Sequence, residues 1–350
     1  MGKACGGRQR VCSVYKTPMK TIGWIEIHLK KYGAIVYNDQ ARKALAQSGE
    51  FQVQLLDASS RWFERIRYLK IPEAFVRVAF LQGKRDVWVR DFYSVLAMSP
   101  RRTRGKQVAI MHHLDFSGFP LIASLPLSVL KRVFFRNLKH VDAIVVVSRY
   151  WERYFTERGY QHVRVIYNGF DISRFTIDDQ EVAEFKNRHK LKGNPIVYLG
   201  NCQKPKGVVE AYEELKDLPV HLVTSGSRRV EIPAKNIAGD YHEYLVLLKA
   251  SSVALVMSKF QEGWNRTAHE AMLCRTPVIG SGLGGMRELL EEGGQIVCED
   301  FRDLKKHVEM LLQSDEMRRQ QGERGWNFAK DFTLDRFSKE WVAFMKDVCA

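Results

Sequence analysis

A chain of 350 residues with 55 Lys and Arg against 40 Asp and Glu carries a formal net charge of +15, and it is 45% hydrophobic and 27% charged. That length exceeds one ordinary core, so two domains are expected, and the composition is that of a soluble globular protein without low-complexity tracts. No apolar run reaches the ~18 residues a membrane helix needs, and the basic start MGKACGGRQRVCSVYK lacks the apolar centre of a secretory signal.

Gly6 stands where a myristoylation motif after Gly2 needs Ser or Thr, so that motif fails. The six cysteines, Cys5, Cys12, Cys202, Cys274, Cys298 and Cys349, show no CxxC spacing and no paired histidines. They predict reduced thiols in a cytoplasmic protein, with neither a disulfide framework nor a zinc site. Charge is unevenly placed: residues 1–175 hold 30 Lys and Arg against 13 Asp and Glu, and residues 176–350 hold 25 against 27. The first half is therefore expected to meet an anionic partner, whether membrane, acceptor or nucleic acid; the plain alternative is a basic soluble surface.

Taken in chain order, short β-branched runs predict strands at residues 22–29, 51–56, 86–89, 107–111, 143–147 and 163–166, separated by helix-length segments. Residues 124–139, SLPLSVLKRVFFRNLK, carry an apolar stripe at Leu127, Leu130, Phe134 and Leu138 flanked by Lys131, Arg132, Arg136 and Lys139. Such a stripe ordinarily packs on its own sheet, and the other outcome is an anionic membrane surface. Residues 171–195 read as a polar linker, with Asp178 and Asp179 as a solvated helix start. The same grammar resumes with strands at 196–199, 220–224, 253–257, 278–279 and 296–297. Alternation of this kind implies parallel sheets covered on both faces, with ligands outside the carboxyl ends of the strands.

Two of those strand ends carry chemistry. In YLGNCQKPKGV, residues 198–208, a strand ends at Gly200 and a loop with Lys204 and Lys206 leads to Gly207 and a helix. Glycines for close approach and lysines for charge suit phosphate, although a solvated basic turn has the same look. In FQEGWNRTAHEAM, residues 260–272, a helix begins near Asn265, with Asn265 or Thr267 available as its cap. Its first N–H groups can bind an anion. Glu262 lies just outside the helix mouth and Glu270 within it, and carboxylates accept hydrogen bonds from hydroxyls. A diphosphate with hydroxyls at both ends, as in a nucleotide sugar, fits this pattern.

The passage EGWNRTAHEAMLCRTPVIGSGLGGMREL resembles the signature of the family 4 retaining glycosyltransferases of the GT-B fold, whose E-x7-E motif lies in EGFG…EAMACGTPVV…GGxxE. Upstream, VDAIVVVSRYWERYFTERGYQHVRVIYNGFDISRF is similar to the family's aDaiiavS…vipNGvD…F, and LGNCQKPKG to its GRxxxxKG. KKYGAIVYNDQARKAL occupies the place of the glycine loop before the first helix, which implies donor contact at Gly33 and Ala34. The resemblance implies two Rossmann-like doubly wound domains facing across a cleft: an acceptor domain at 1–172, a donor domain at 173–334, and a closing helix at 335–350 that crosses back to the first.

By that resemblance Glu270 binds ribose hydroxyls, Glu262 contacts the donor sugar, and Lys206 pairs with the diphosphate. The backbone from Gly263 and Trp264 through Asn265 and Arg266 to Thr267 meets sugar and phosphates. One histidine of IMHHLDF stands near the transferred sugar; His113 fits through nearby Asp115, and His112 remains the alternative. Two positions depart from the pattern. The family's phosphate-binding arginine is Asn201, with Lys204 placed to supply the charge, and its glycine after the aromatic residue is Asn265, expected to narrow the sugar space. The resemblance further implies retention, no metal and no cofactor beyond a UDP- or GDP-linked sugar, and an acceptor that is a glycan or lipid-linked. Peripheral contact with an anionic membrane is expected. A nucleotide-sugar epimerase and a basic nucleic-acid-binding protein are the alternatives.

Overall fold

Strands alternate with helices along the described chain, which in this computed structural model comprises residues 19–27, 33–62, 67–114 and 127–350. The first sheet contains β1 (Lys20–Glu26), β2 (Phe51–Asp57), β3 (Gly83–Arg90), β4 (Thr103–Met111), β5 (Ala143–Val146) and β6 (Val163–Val165). Its order is β2-β1-β3-β4-β5-β6, with every pairing parallel. The second contains β7 (Ile196–Asn201), β8 (His221–Ser225), β9 (Lys235–Ile237), β10 (Val253–Val256), β11 (Val278–Gly280) and β12 (Ile296–Val297). Its order, β12-β11-β10-β7-β8-β9, is again parallel throughout. Such sheets must be covered on both faces, which is why β5 and β10 are buried at every position.

The first strand begins two residues before the expected start and ends at Glu26, whereas 22–29 was expected; residues 28–32 lie outside the described ones. β9 was not expected. It is three residues long, and Lys and Asn, weak strand formers, occupy two of them.

Three helices bear on function. The helix Leu127–Leu138 buries Leu130, Phe134 and Leu138 in a cluster with Val95, Ile144 and Trp151, so this stripe is core and cannot face a membrane. The Leu127 side chain lies outside the described residues. The helix Arg67–Phe80, by contrast, leaves Leu69, Val76 and Phe80 exposed at 41%, 55% and 62%. Finally, the helix Leu334–Cys349 follows the second sheet yet packs on the first: Trp341 lies 5.9 Å from Trp24 and Phe337 5.0 Å from Tyr37. Burying such rings contributes roughly 2 kcal/mol each, so the closing helix ties the two halves together. Asp178, as expected of a helix start, accepts the Glu181 N–H at 2.7 Å.

Candidate active site

In the second sheet the strand order reverses between β7 and β10, and their connections leave to opposite sides. The crevice between such strands is where doubly wound folds bind ligands. After β7 the chain makes a short turn, Lys204–Lys206, and reaches Gly207 with φ +71°. A side chain there would collide with the Met257 carbonyl oxygen at the end of β10, so only glycine lets the two loops close on each other. That approach brings Lys206 Nζ within 2.6 Å of Glu262 Oε1. The same oxygen accepts from Ser258 Oγ at 2.5 Å and Asn265 Nδ2 at 3.3 Å. Glu262 is buried, and the Lys206 ammonium lies 4.9 Å from the Phe260 ring.

The other candidates on this loop do not join it. Lys204 is exposed, and its side chain makes no hydrogen bond or ion pair among the described residues. Asn201 accepts from Ser225 Oγ at 3.2 Å and stays beside β8.

The helix Arg266–Leu273 opens through Asn265, whose φ is +73°. This left-handed conformation explains why glycine serves at this position in the family pattern and why asparagine can replace it. Asn265, not Thr267, is the cap: its Oδ1 accepts the Ala268 N–H at 3.0 Å. The Asn265 side chain is thus spent on the cap and on Glu262, and the expected narrowing of the sugar space does not follow from it. Arg266 and Thr267, in the first turn, have no carbonyl partner within the helix. The Trp264 ring is buried against Tyr167 at 4.8 Å and Phe332 at 5.6 Å, with its indole N–H donating to His269 Nδ1 at 3.1 Å. Trp264 therefore offers the crevice its backbone and not its ring.

Glu270 is buried on another wall. Tyr241 donates to its Oε1 and Tyr244 to its Oε2, each at 3.1 Å, and Arg266 Nη2 lies 3.4 Å from Oε1. Burial pushes the carboxyl pKa up, opposed by the Arg266 charge and the tyrosine hydroxyls. Neither tyrosine was singled out in the sequence, although three-residue spacing puts both on one helix face. The carboxylates bracket the helix entrance: Glu262 faces the lysine loop, and Glu270 the helix Tyr241–Ala250.

The first half closes over this turn. Gly263 sits so near the His112 carbonyl oxygen, and Gly285 so near Gly263 O and Ser148 Oγ, that a Cβ on either would overlap them. Trp151 Nε1 donates to Glu262 O at 3.0 Å, and the Arg149 N–H to Glu288 Oε2 at 2.8 Å. Gly33 opens its helix against the Arg266 side chain, whose Cδ would lie 3.1 Å from a Cβ there; Ala34 follows, half-buried. His112 Nε2 donates to Asn38 Oδ1 at 3.2 Å, and burial and the charges of His113 and Arg266 depress its pKa to about 3. The His113 ring instead lies 5.9 Å from Phe260, on the loop bearing Glu262. Asp115, the carboxylate near His113, lies outside the described residues. Cavities of about 320 and 410 Å³ lie away from this turn, beside Asp142 and His162 and between the helices Gly33–Gln47 and Leu334–Cys349.

The packing around His269 has a pH signature. His269 accepts the Trp264 N–H at Nδ1, donates from Nε2 to Ala329 O at 3.1 Å and stacks on Phe170 at 4.1 Å; burial depresses its pKa to about 3. A depressed folded-state pKa contributes stability that is complete above the unfolded value of ~6.5 and is lost as pH falls toward 3, at about 1.4 kcal/mol per unit. His112 acts in the same sense, whereas the raised carboxyls of Glu270 and Glu288 act in the opposite one. The urea midpoint is expected to fall between pH 6.5 and 4.5, and to fall less in His269→Gln.

Residues 42–174 match the family model described as Glycosyltransferase Family 4, and residues 179–328 the one described as Glycosyl transferases group 1. The chain is 24% identical over 247 residues to an uncharacterised glycosyltransferase of Methanocaldococcus jannaschii, covering 66% of each chain. It is 22% identical over 273 residues to an N-acetyl-alpha-D-glucosaminyl L-malate synthase of Bacillus anthracis, covering 71% of this chain and 69% of that one. The matched stretch spans just under two thirds of the archaeal relative's own length and 58% of that of a Bacillus subtilis spore coat protein. Among solved structures, a sucrose-phosphate synthase from Thermosynechococcus elongatus superposes with a TM-score of 0.76 at 18% identity, covering 94% of this chain and 99% of that one. HepE of Anabaena, solved with UDP-glucose, superposes at 0.72 with 15% identity, covering 94% and 100%. With the two sheets, their order and both matched halves, the chain has the GT-B fold and resembles the family 4 glycosyltransferases along both halves.

Proposed function

We propose that the protein is a retaining, metal-independent hexosyltransferase that uses a UDP- or GDP-linked sugar, with the acceptor bound by residues 1–172 and the donor by 173–334. The Lys206–Glu262 pair at the β7/β10 crevice carries this reading. In it, ribose hydroxyls displace the tyrosine hydroxyls from Glu270, the diphosphate meets the amides of Trp264 to Thr267 and Lys206, and the hexose meets Glu262. His113, whose ring faces the Glu262 loop, stands on the sugar's side, while His112 is held by Asn38. The bond from the anomeric carbon to the phosphate oxygen breaks, and the acceptor hydroxyl bonds that carbon from the same face. Its proton passes to the departing phosphate oxygen. Preorganised donors aimed at that oxygen contribute about 3 kcal/mol each. Incubation with UDP- and GDP-sugars plus a glycan or lipid-linked acceptor should yield a product of retained configuration. Formation of a free isomerised sugar instead would identify an epimerase.

The same reading sets the protein at the cytoplasmic face of an anionic membrane. No helix among the described residues is long and apolar enough to cross one, so contact is peripheral. Leu69, Val76 and Phe80, which share one helix face, together with Trp62, 83% exposed, form the apolar surface. Exposed Arg61, Arg101 and Arg102 lie on the same basic half, and the Arg102 guanidinium covers the Phe80 ring at 4.6 Å. Flotation with anionic vesicles at low salt is expected, with little on neutral vesicles and a several-fold loss in Trp62→Ser/Phe80→Ser. A wild-type protein that stays with the pellet on anionic vesicles rules the surface out.

A further inference from the structure

We propose that the Arg266 side chain binds the donor's diphosphate and supplies the positive charge that Asn201 lacks; this rests on the nucleotide-sugar reading. A nucleotide sugar carries its diphosphate between ribose and hexose. Arg266 lies between the two ends of the proposed site. Nη2 is 3.4 Å from Glu270 Oε1 on the ribose side, and its charge also acts on His112 in the first half. The side chain reaches across the crevice: Nη1 donates to Asn168 Oδ1 at 3.2 Å, and the stem abuts Gly33.

The guanidinium is held in one plane by the Phe170 ring at 4.4 Å and keeps 16% of the side chain open to solvent. Among the described residues, two of its five N–H donors meet Asn168 and Glu270, and the others are placed for phosphate oxygens in a fork that suits them. Its position is otherwise unfavourable. As the first residue of the helix Arg266–Leu273, it puts a cation at the positive end of the helix dipole, and a bound anion would satisfy both. Of the two positions that the family pattern would offer for this charge, Asn201 is neutral and bonded to Ser225, and Lys204 is exposed.

Titration calorimetry with UDP, GDP, uridine and guanosine on wild type, Arg266→Met and Arg266→Lys tests this. Arg266→Met is expected to weaken the preferred diphosphate by at least ten-fold and leave the matching nucleoside within about two-fold, with part of the loss recovered in Arg266→Lys. Undiminished diphosphate binding in Arg266→Met overturns the proposal. So does an equal loss of nucleoside and diphosphate, which would make Arg266 a structural bridge to Asn168. Wild-type protein that binds none of the four ligands overturns the nucleotide-sugar reading itself, a result distinct from either.

Discussion

Glu262→Ala should lower transfer turnover by about 10²-fold or more while the donor still binds. Its carboxylate gathers Lys206, Ser258 and Asn265 on one oxygen, so its removal takes away the proposed hexose contact and leaves a half-buried ammonium without its counter-charge. Lys206→Ala should differ in kind. It removes the cation paired with Glu262, so donor KM should rise about ten-fold and turnover should fall as well. Steady-state kinetics on both variants separates these effects, and unchanged turnover in both would refute the assignment.

Gly263→Ala is expected to abolish most activity without unfolding either half. A Cβ at 263 meets the His112 carbonyl oxygen, a backbone atom at the end of β4 that cannot rotate away. Relief therefore requires the halves to part, at a cost of roughly 1–3 kcal/mol. That shift would disturb the bond from Trp151 to Glu262 O and move the first half off the donor loop. Far-UV circular dichroism should be unchanged, and small-angle scattering should show a larger radius of gyration. Full activity in this variant would mean that the closed arrangement is not the working one.

The fold was legible because β-branched runs such as IVYLG and VALVM are short, apolar and regularly spaced, and parallel strands need little else to be recognised. The edge strand KNI was not, since its position depends on pairing with β8 and not on its own residues. Within the site, motif order pointed to Lys206, Glu262 and Glu270. It offered Asn265 or Thr267 as the cap without deciding between them, and it could not reveal that the Trp264 ring turns away from the crevice, because that depends on packing with Tyr167, His269 and Phe332. The stripe Leu130, Phe134 and Leu138 illustrates the same limit from the other side. Periodicity shows that a helix has an apolar face, and only the neighbouring sheet decides what covers it.

The central claim is that the carboxylates at both ends of the Asn265 turn grip a nucleotide whose diphosphate lies on the free amides between them. A crystal structure of the protein with UDP or GDP tests it most directly. The account predicts ribose hydroxyls on Glu270 in place of the Tyr241 and Tyr244 hydroxyls, and phosphate oxygens within hydrogen-bond reach of the Trp264–Thr267 amides. A nucleotide lodged elsewhere, with Glu270 still held by both tyrosines, would contradict it.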